Sequence, residues 1–396
     1  MTDTGAPPGL RRRDIIGVGF VAGSVSINST MIAVALPDIA DDFDIAIGKA
    51  GFLITTYLFV MLVGQPIAGR LTDRLGARRL ITVGLVGFAA ASVAATLANS
   101  FELLVAIRAA QAACAIVFVP GAQSLLRLLS TPDKRGQAFG VLGSFLAGGA
   151  ALGPVLGGLV TSGFGWSGVF LVNLPIVAIA LTLLNGMATP IRPAATTAAD
   201  TLPIRSLATP RFVAAFATQA STTFGQYALL LVIPVVLDAR GWSAGAIGAA
   251  LTSLTLGMVI VGPAGGRFGD TRGRRKPVLI GTVVATVASV LAALTIDGSA
   301  ALLIIAVAVL GMGLGLAIPN VQTTALEAAP EQLAGSASGI LSMSRYVGSI
   351  PSTILLAFIV GDDGSDARTY LIIASVVMAS SVLMSLRIPS DPHGST

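Results

Sequence analysis

The chain has 396 residues, is 54% hydrophobic and only 11% charged, and has a mean hydropathy of +0.87. A soluble domain needs far more charge on its surface, so this composition excludes one. The net charge of +5 and isoelectric point near 9.9 would suit a nucleic-acid binder, but the basic residues are spaced along the chain as a topology signal instead.

A bilayer core of roughly 30 Å takes about 20 apolar residues of helix. Runs of that kind occur at about 15–37, 50–69, 80–98, 102–126, 137–162, 167–187, 211–237, 243–265, 277–296, 300–326, 336–361 and 368–386. They are continuous rather than alternating, which excludes a transmembrane barrel. The first run follows Arg11 to Arg13 and closes on Ala33-Val34-Ala35, a pattern shared with cleaved signal peptides. It is too long for a signal-peptide core, and its loss would leave eleven spans, so it is read as helix 1. Run 4 holds the single cysteine, Cys114, which leaves no disulfide framework and no thiolate metal site. No cofactor or metal is called for.

Two basic loops punctuate the series. Gly69-Arg70-Leu71-Thr72-Asp73-Arg74-Leu75-Gly76-Ala77-Arg78-Arg79 follows run 2, and Gly266-Arg267-Phe268-Gly269-Asp270-Thr271-Arg272-Gly273-Arg274-Arg275-Lys276 follows run 8, 197 residues later. Pro120 to Ser124 and Gly136 to Gly140 have counterparts at Pro319 to Thr323 and Gly335 to Gly339, each offset by 199. Six helices are therefore followed by six related ones. Residues 188–210, rich in Pro, Ala and Thr and carrying Arg192, Asp200 and Arg205, read as a cytoplasmic linker. The domains expected are a six-helix bundle over 1–187, the linker 188–210 and a second six-helix bundle over 211–396.

Lys and Arg concentrate on alternate loops: Arg11 to Arg13, Arg70 to Arg79, Arg127 to Arg135, Arg192 to Arg211, Arg267 to Lys276 and Arg387 share one side. Only Lys49, Arg240 and Arg368 fall on the other, with Arg108 and Arg345 inside runs. The positive-inside rule places both termini in the cytoplasm, as an even number of spans requires. The fold class expected is an all-α integral membrane protein of the cytoplasmic membrane, with twelve transmembrane helices in two pseudo-symmetric six-helix bundles. Such halves place a substrate site near the midplane and alternate access by rocking.

With these residues laid out, the chain resembles a major facilitator superfamily transporter of the drug:proton antiporter branch. The loop from Gly69 to Arg79 is similar to motif A, G-x-L-x-D-R-x-G-R-R, with a weaker copy around Asp270. Arg108-Ala109-Ala110-Gln111-Ala112 is similar to the R-x-x-Q-G of motif B, Ala112 replacing glycine. Gly149-Ala150-Ala151-Leu152-Gly153-Pro154-Val155-Leu156-Gly157-Gly158 matches the antiporter motif G-x-x-x-G-P-x-x-G-G. Ala33 to Pro37 and Phe170 to Pro175 resemble the drug-exporting branch that usually has fourteen helices, although this chain is too short between runs 6 and 7 for an extra pair. The resemblance implies the major facilitator fold, a gating role for Asp73, and export of drugs or a metabolite in exchange for protons.

Each residue also has a plainer reading. Asp73 stands at a loop where carboxylates stabilise helix starts by roughly 0.3–1 kcal/mol, while Arg74, Arg78 and Arg79 set orientation. Gly149, Gly153 and Gly157 recur every four residues and share a helix face, which suits close helix packing as well as an antiporter role. An arginine at a helix centre costs about 2.5–3.5 kcal/mol, so Arg108, with Gln111 one turn on, needs a cavity or partner unless it snorkels to the interface. Arg345 in run 11 is either a substrate or gate residue or an anchor to carbonyls. The remaining polar candidates for a central cavity are Asn28, Tyr57, Gln123, Gln219, Thr223, Gln226, Asn320 and Gln322. Gln219, Thr222, Thr223 and Gln226 form one stripe of run 7.

Proton coupling needs a titratable group within reach of both sides. Asp38, Glu102, Asp238, Asp297 and Glu327 all lie at run ends or in loops, and the only histidine is His393 in the tail. In the family's helix 1 pattern, L-D-x-T-I-V-N-V-A-L-P, Asn28 stands at the aspartate. Two embedded arginines without deep carboxylates favour neutral or weakly anionic amphiphiles over permanent cations. An intramembrane enzyme would need Ser-His, His-Cys or paired carboxylates at reachable spacing, and one terminal histidine and one lone cysteine speak against it. The expected partners are a small-molecule substrate, protons as coupling ion and the lipid bilayer, with no nucleic acid and a monomer as the working unit. Carriage without proton coupling, import, or a non-transporting sensor are the competing readings.

Overall fold

The computed structural model describes residues 12–185, 187, 204–242, 244–360 and 366–388. Among the described residues there are helices and turns but no strand. The helices of twelve residues or more are α1 Arg12–Asp42, α2 Phe52–Leu75, α3 Ala77–Thr96, α4 Phe101–Ala115, α5 Phe118–Leu129, α6 Arg135–Leu171, α7 Asn173–Asn185, α8 Pro210–Ala239, α9 Ala244–Arg272, α10 Arg275–Thr295, α11 Ala300–Glu327, α12 Ala334–Ile359 and α13 Ala367–Ser385. Of the expected linker, Ile204–Leu207 forms a short 3-10 turn. Arg192 and Asp200, like Arg11 and His393, lie outside the described residues.

Counting α4 with α5, ten segments of the described chain are long and apolar enough to cross a membrane. Three of the twelve runs differ from a single unbroken apolar helix. Run 4 is divided at Ile116 and Val117, between α4 and α5. Run 6 is interrupted at Val172, before Asn173, while Gly165, at φ 69°, turns the chain inside α6 in the gap between runs 5 and 6. Run 11 forms α12 in full, but Arg345 and a series of serines make it less apolar than the rest. Helix α1 continues through Pro37 to Asp42, five residues past the end of its run, and so carries Asp38 and Asp41 on its last turns.

The first of two compact units comprises Met1–Thr131, Phe145–Ile204 and Pro330–Met343. One of its apolar clusters gathers Met31, Ile32, Ile39, Leu53, Leu104 and Phe170. Helix α6 packs on α1 through its glycine face. A Cβ on Gly149 would strike the Gly23 carbonyl, one on Gly153 would strike Thr30 Oγ1 and lie 2.8 Å from the Ile27 carbonyl oxygen, and one on Gly157 would lie 2.8 Å from the Met31 carbonyl oxygen. These three glycines let two backbones meet with no side chain between them, a contact worth having where lipid supplies no hydrophobic drive. Pro154 is exposed on another face, and nothing lies within 4 Å of where a Gly158 Cβ would be.

The second unit comprises Pro132–Ser144, Arg205–Ala329 and Ser344–Thr396. Its core assembles Leu229, Val232, Ile233, Leu303, Leu310, Leu314, Tyr370 and Met378 from α8, α11 and α13. The pseudo-symmetry of the chain is visible in the helix starts. Ser100 caps α4 by accepting from the Leu103 amide at 3.3 Å, and Ser299, 199 residues on, caps α11 by accepting from the Leu302 amide at 3.5 Å. Such caps satisfy one of the four amides a helix start leaves open.

The glycine face yields a direct test. Gly153→Leu should lower the unfolding free energy by about 1–3 kcal/mol through overpacking, seen as a lower melting temperature in detergent, whereas Gly158→Leu should leave it unchanged. Equal effects would mean that the packing of α6 on α1 does not depend on the motif's spacing.

Candidate functional site

Inside the first unit, five helices, α1, α2, α3, α4 and α7, bring polar side chains to one place. Arg108 of α4 is 1% exposed and does not reach an interface. Its Nη1 donates to Gln111 Oε1 at 2.5 Å and to Asn28 Oδ1 at 2.6 Å. Asn28 Nδ2 donates to Asn173 Oδ1 at 3.2 Å, and Asn173 Nδ2 donates to Ser92 Oγ at 3.2 Å. Gln111 Nε2 donates to the same Ser92 Oγ at 2.7 Å, and the Ser92 hydroxyl donates to the Phe88 carbonyl at 2.8 Å. The Tyr57 ring covers one face of the guanidinium, its centroid 4.2 Å from Cζ. Arg108 Nε and Nη2 are buried and have no hydrogen-bond partner. A cation in a site of low dielectric, held only by amide oxygens and a ring face, is an unusual expense.

Asn28, Tyr57, Arg108 and Gln111 were thus expected singly and are found together. Ser92 and Asn173 complete the network and were not among the expected site residues. Their signal was available in part: each is a polar residue within or at the start of an apolar run, but only the fold brings them to Gln111 and Asn28.

The two aspartates expected in loops lie instead on the last turns of α2 and α9, and both are buried, Asp73 at 4% and Asp270 at 8% exposure. Within the first unit, Asp73 Oδ1 accepts from the Gly335 amide at 2.6 Å, and Oδ2 accepts from the Ser336 amide at 2.7 Å and its hydroxyl at 2.6 Å. Within the second, Asp270 accepts from the amides of Gly136 and Gln137 at 2.8 and 2.9 Å and pairs with Arg274 at 2.5 Å. Arg274 continues to Glu327 at 3.2 Å. Each carboxylate therefore sits on the open amides at the start of α12 or α6, where the backbone offers donors and a favourable dipole. Gly69 meets the Gly335 carbonyl so closely that a Cβ would collide with it. Gly76 and Gly273, at φ 86° and 85°, turn the chain into the next helix in a conformation that favours glycine. Arg78 donates to the Asn185 and Met187 carbonyls at 3.1 and 2.9 Å, tying down the end of α7, while Arg74 and Arg79 are exposed.

The other candidates lie apart from the Arg108 network. Gln123 accepts from the Ser342 hydroxyl at 3.2 Å within the first unit. In the second unit, Gln219, Thr222 and Thr223 are buried, and Gln226 donates to Met258 Sδ at 3.6 Å. Asn320 uses its amide nitrogen on the Gly265 and Leu316 carbonyls at 2.8 and 3.0 Å, an interhelical lock between α11 and α9. Gln322 is buried with Oε1 unpartnered, and Arg345 is half-buried with Tyr227 in its electrostatic reach. No group of three or more metal-ligating side chains occurs among the described residues.

The duplicated helical architecture, with a buried polar centre and two aspartates clasping helix starts, is that of a membrane transporter, and the chain's family bears this out. The chain belongs to the Major Facilitator Superfamily, whose family model matches residues 18–353. It is similar to the uncharacterised MFS-type transporter YvkA of Bacillus subtilis, 29% identical with 93% of this chain and 94% of that one covered. It is also similar to the multidrug resistance protein Stp of Mycobacterium tuberculosis, at 26% identity with 85% and 73% covered. The crystal structure of the E. coli fucose:proton symporter FucP shares the fold, with a TM-score of 0.77 at 17% identity over 95% of this chain and 98% of that one. The chain is accordingly a multi-pass protein of the cell membrane.

The aspartate clasps can be measured one by one. Asp73→Asn removes the charge and keeps one acceptor oxygen, its NH2 facing donors that the second carboxylate oxygen had satisfied, a loss of about 1.5–3 kcal/mol, so amide exchange at Gly335 or Ser336 should quicken by about tenfold or more. Asp270→Asn should do the same at Gly136 and Gln137. Unchanged protection in either variant would show that those amides are held by something else.

Proposed function

We propose that the chain exports small amphiphilic molecules across the cytoplasmic membrane by alternating access, in exchange for protons. The observation that carries this reading is the hydrogen-bonded centre around Arg108, a buried charge held among apolar helices with part of its donor set open. Intramembrane ionisable residues are rare because they are costly, and they mark transport pathways. The sequence expectation of an antiporter motif and the name of the relative Stp, a multidrug resistance protein, support export. Asp73 and Asp270 act in this reading as latches, clasping helix starts in one state of the cycle and releasing them in the other. The six-helix halves over 1–187 and 211–396, joined through 188–210, are the bodies that move, and a monomer holds a complete path.

A second reading is favoured by one observation. The oxygens on Arg108 Nη1 belong to the amides of Asn28 and Gln111, and amides do not titrate. A carrier that moves its substrate without proton exchange fits that chemistry.

Proteoliposomes with an imposed pH gradient and a lumenal pH dye separate the two while a panel of amphiphilic drugs is added. Substrate-dependent proton movement, lost in Arg108→Ala, is the expected result. Solute movement without proton movement establishes the uncoupled carrier. Absence of any solute movement overturns both.

A further inference from the structure

We infer that the unpartnered edge of Arg108 is a receptor for a carboxylate, and that the transported molecule supplies the countercharge that the chain lacks at this point. The inference rests on the carrier reading above and names the substrate class for it: amphiphiles with an apolar body and one carboxylate group.

The argument begins with which nitrogens are engaged. Both amide oxygens, from Asn28 and Gln111, approach Nη1. The two nitrogens left without partners, Nε and Nη2, lie along one edge of the guanidinium and direct their N–H bonds in parallel. That fork matches the two oxygens of a carboxylate, the strongest and most directional pairing an arginine makes. Tyr57 covers one face of the group, and the in-plane edge is unpartnered but buried, so a ligand would reach it when the transport cycle exposes that edge.

The network cannot rearrange to fill this edge itself. Asn28 must present its oxygen to Arg108 because its nitrogen donates to Asn173. Gln111 is oriented in the same way by Ser92, and the Ser92 proton is committed to the Phe88 carbonyl. No carboxylate lies within ion-pair distance of Arg108 among the described residues. Of the buried aspartates, Asp73 and Asp270 are engaged at the starts of α12 and α6 and Asp14 lies in the first turn of α1, while Lys49 and Arg368 take the exposed Glu102 and Asp297. A neutral ligand could offer the fork an acceptor but no countercharge, and a quaternary cation would be repelled by it.

The test uses the purified full chain in neutral detergent with a probe pair, 4-(1-pyrenyl)butyrate and its methyl ester, read by pyrene anisotropy. The carboxylate should bind at least about tenfold tighter than the ester, a difference of the size that paired charges produce. Arg108→Lys, which keeps the charge and loses the fork, should cut that preference to about threefold or less. Because an altered Arg108 can compromise folding, Asn28→Asp carries the decision. It is nearly isosteric and installs an internal counter-ion, so it should abolish the preference while melting temperature confirms a folded protein. Equal binding of the two probes to the unaltered chain, no binding of the carboxylate, or a preference retained in Asn28→Asp overturns the assignment. Parallel flux measurements in proteoliposomes keep the readings distinct: movement of both probes without preference removes the carboxylate receptor and leaves the carrier, whereas movement of neither removes both.

Discussion

Hydrocarbon offers no hydrogen bonds, and the rest of this structure follows from that constraint. Each polar atom within the spans is answered by the protein or leaves a cost of several kcal/mol. Serine and threonine hydroxyls in α1, α3, α8 and α13 return their protons to carbonyls one turn back, as Ser29, Ser92, Thr218 and Ser375 do. Asn320 holds two carbonyls with one amide group. Several neutral oxygens, such as those of Tyr57, Gln65, Gln219 and Gln322, are left without a partner, but Nε and Nη2 of Arg108 belong to a charged group, for which the cost is larger. A charge retained in so costly a place, with its own donors incompletely matched, points to a role that is completed only when something else enters.

Duplication shapes the remainder. The two aspartates are equivalent by sequence, and so are the helix starts that they clasp, yet each carboxylate meets the start belonging to the other repeat: Asp73 meets Gly335, and Asp270 meets Gly136. The contacts have since diverged. Ser336 adds a hydroxyl to the first. Arg274 adds an ion pair to the second and links it through to Glu327. Burial makes both expensive to break, since removing one partner of a buried charged group costs far more than the pair contributes. A clasp of this kind suits a conformational switch only if an alternative set of donors, water included, receives the carboxylate on release.

The sequence made the elements legible because membrane helices announce themselves by length and composition, and because duplication doubles each signal. It also paired Arg108 with Gln111, a spacing of one helical turn that any helix brings together. The turn at Gly165 falls in the gap between runs 5 and 6, but the break of run 6 at Val172 and that of run 4 at Ile116 and Val117 were harder to see, since both lie among apolar residues. Asn173 and Ser92 were missed for a different reason. They come from helices 81 residues apart, and no periodicity within one helix says which faces will meet. The engagement of Asp73 with the start of α12 likewise spans more than 260 residues, so a carboxylate recognised as important could not be given its partner.

The position of Asn28 shows how little chemistry separates two kinds of carrier. Asparagine and aspartate occupy nearly the same volume, so helix packing is indifferent to the choice. The electrostatics are not. With a carboxylate there, Arg108 would have a permanent internal partner, and the pair would exchange a proton rather than recruit an anion. With an amide there, the Asn28 oxygen still orients the guanidinium through Nη1, but the formal charge persists. The amide nitrogen meanwhile fastens α1 to α7 through Asn173, a bond that an ionised carboxylate cannot donate. The same side chain that leaves the cation uncompensated therefore holds the surrounding helices in register. Orientation has been kept while neutralisation has been removed, and a site that is hydrogen-bonded, positive and unpartnered along one buried edge is the physical outcome.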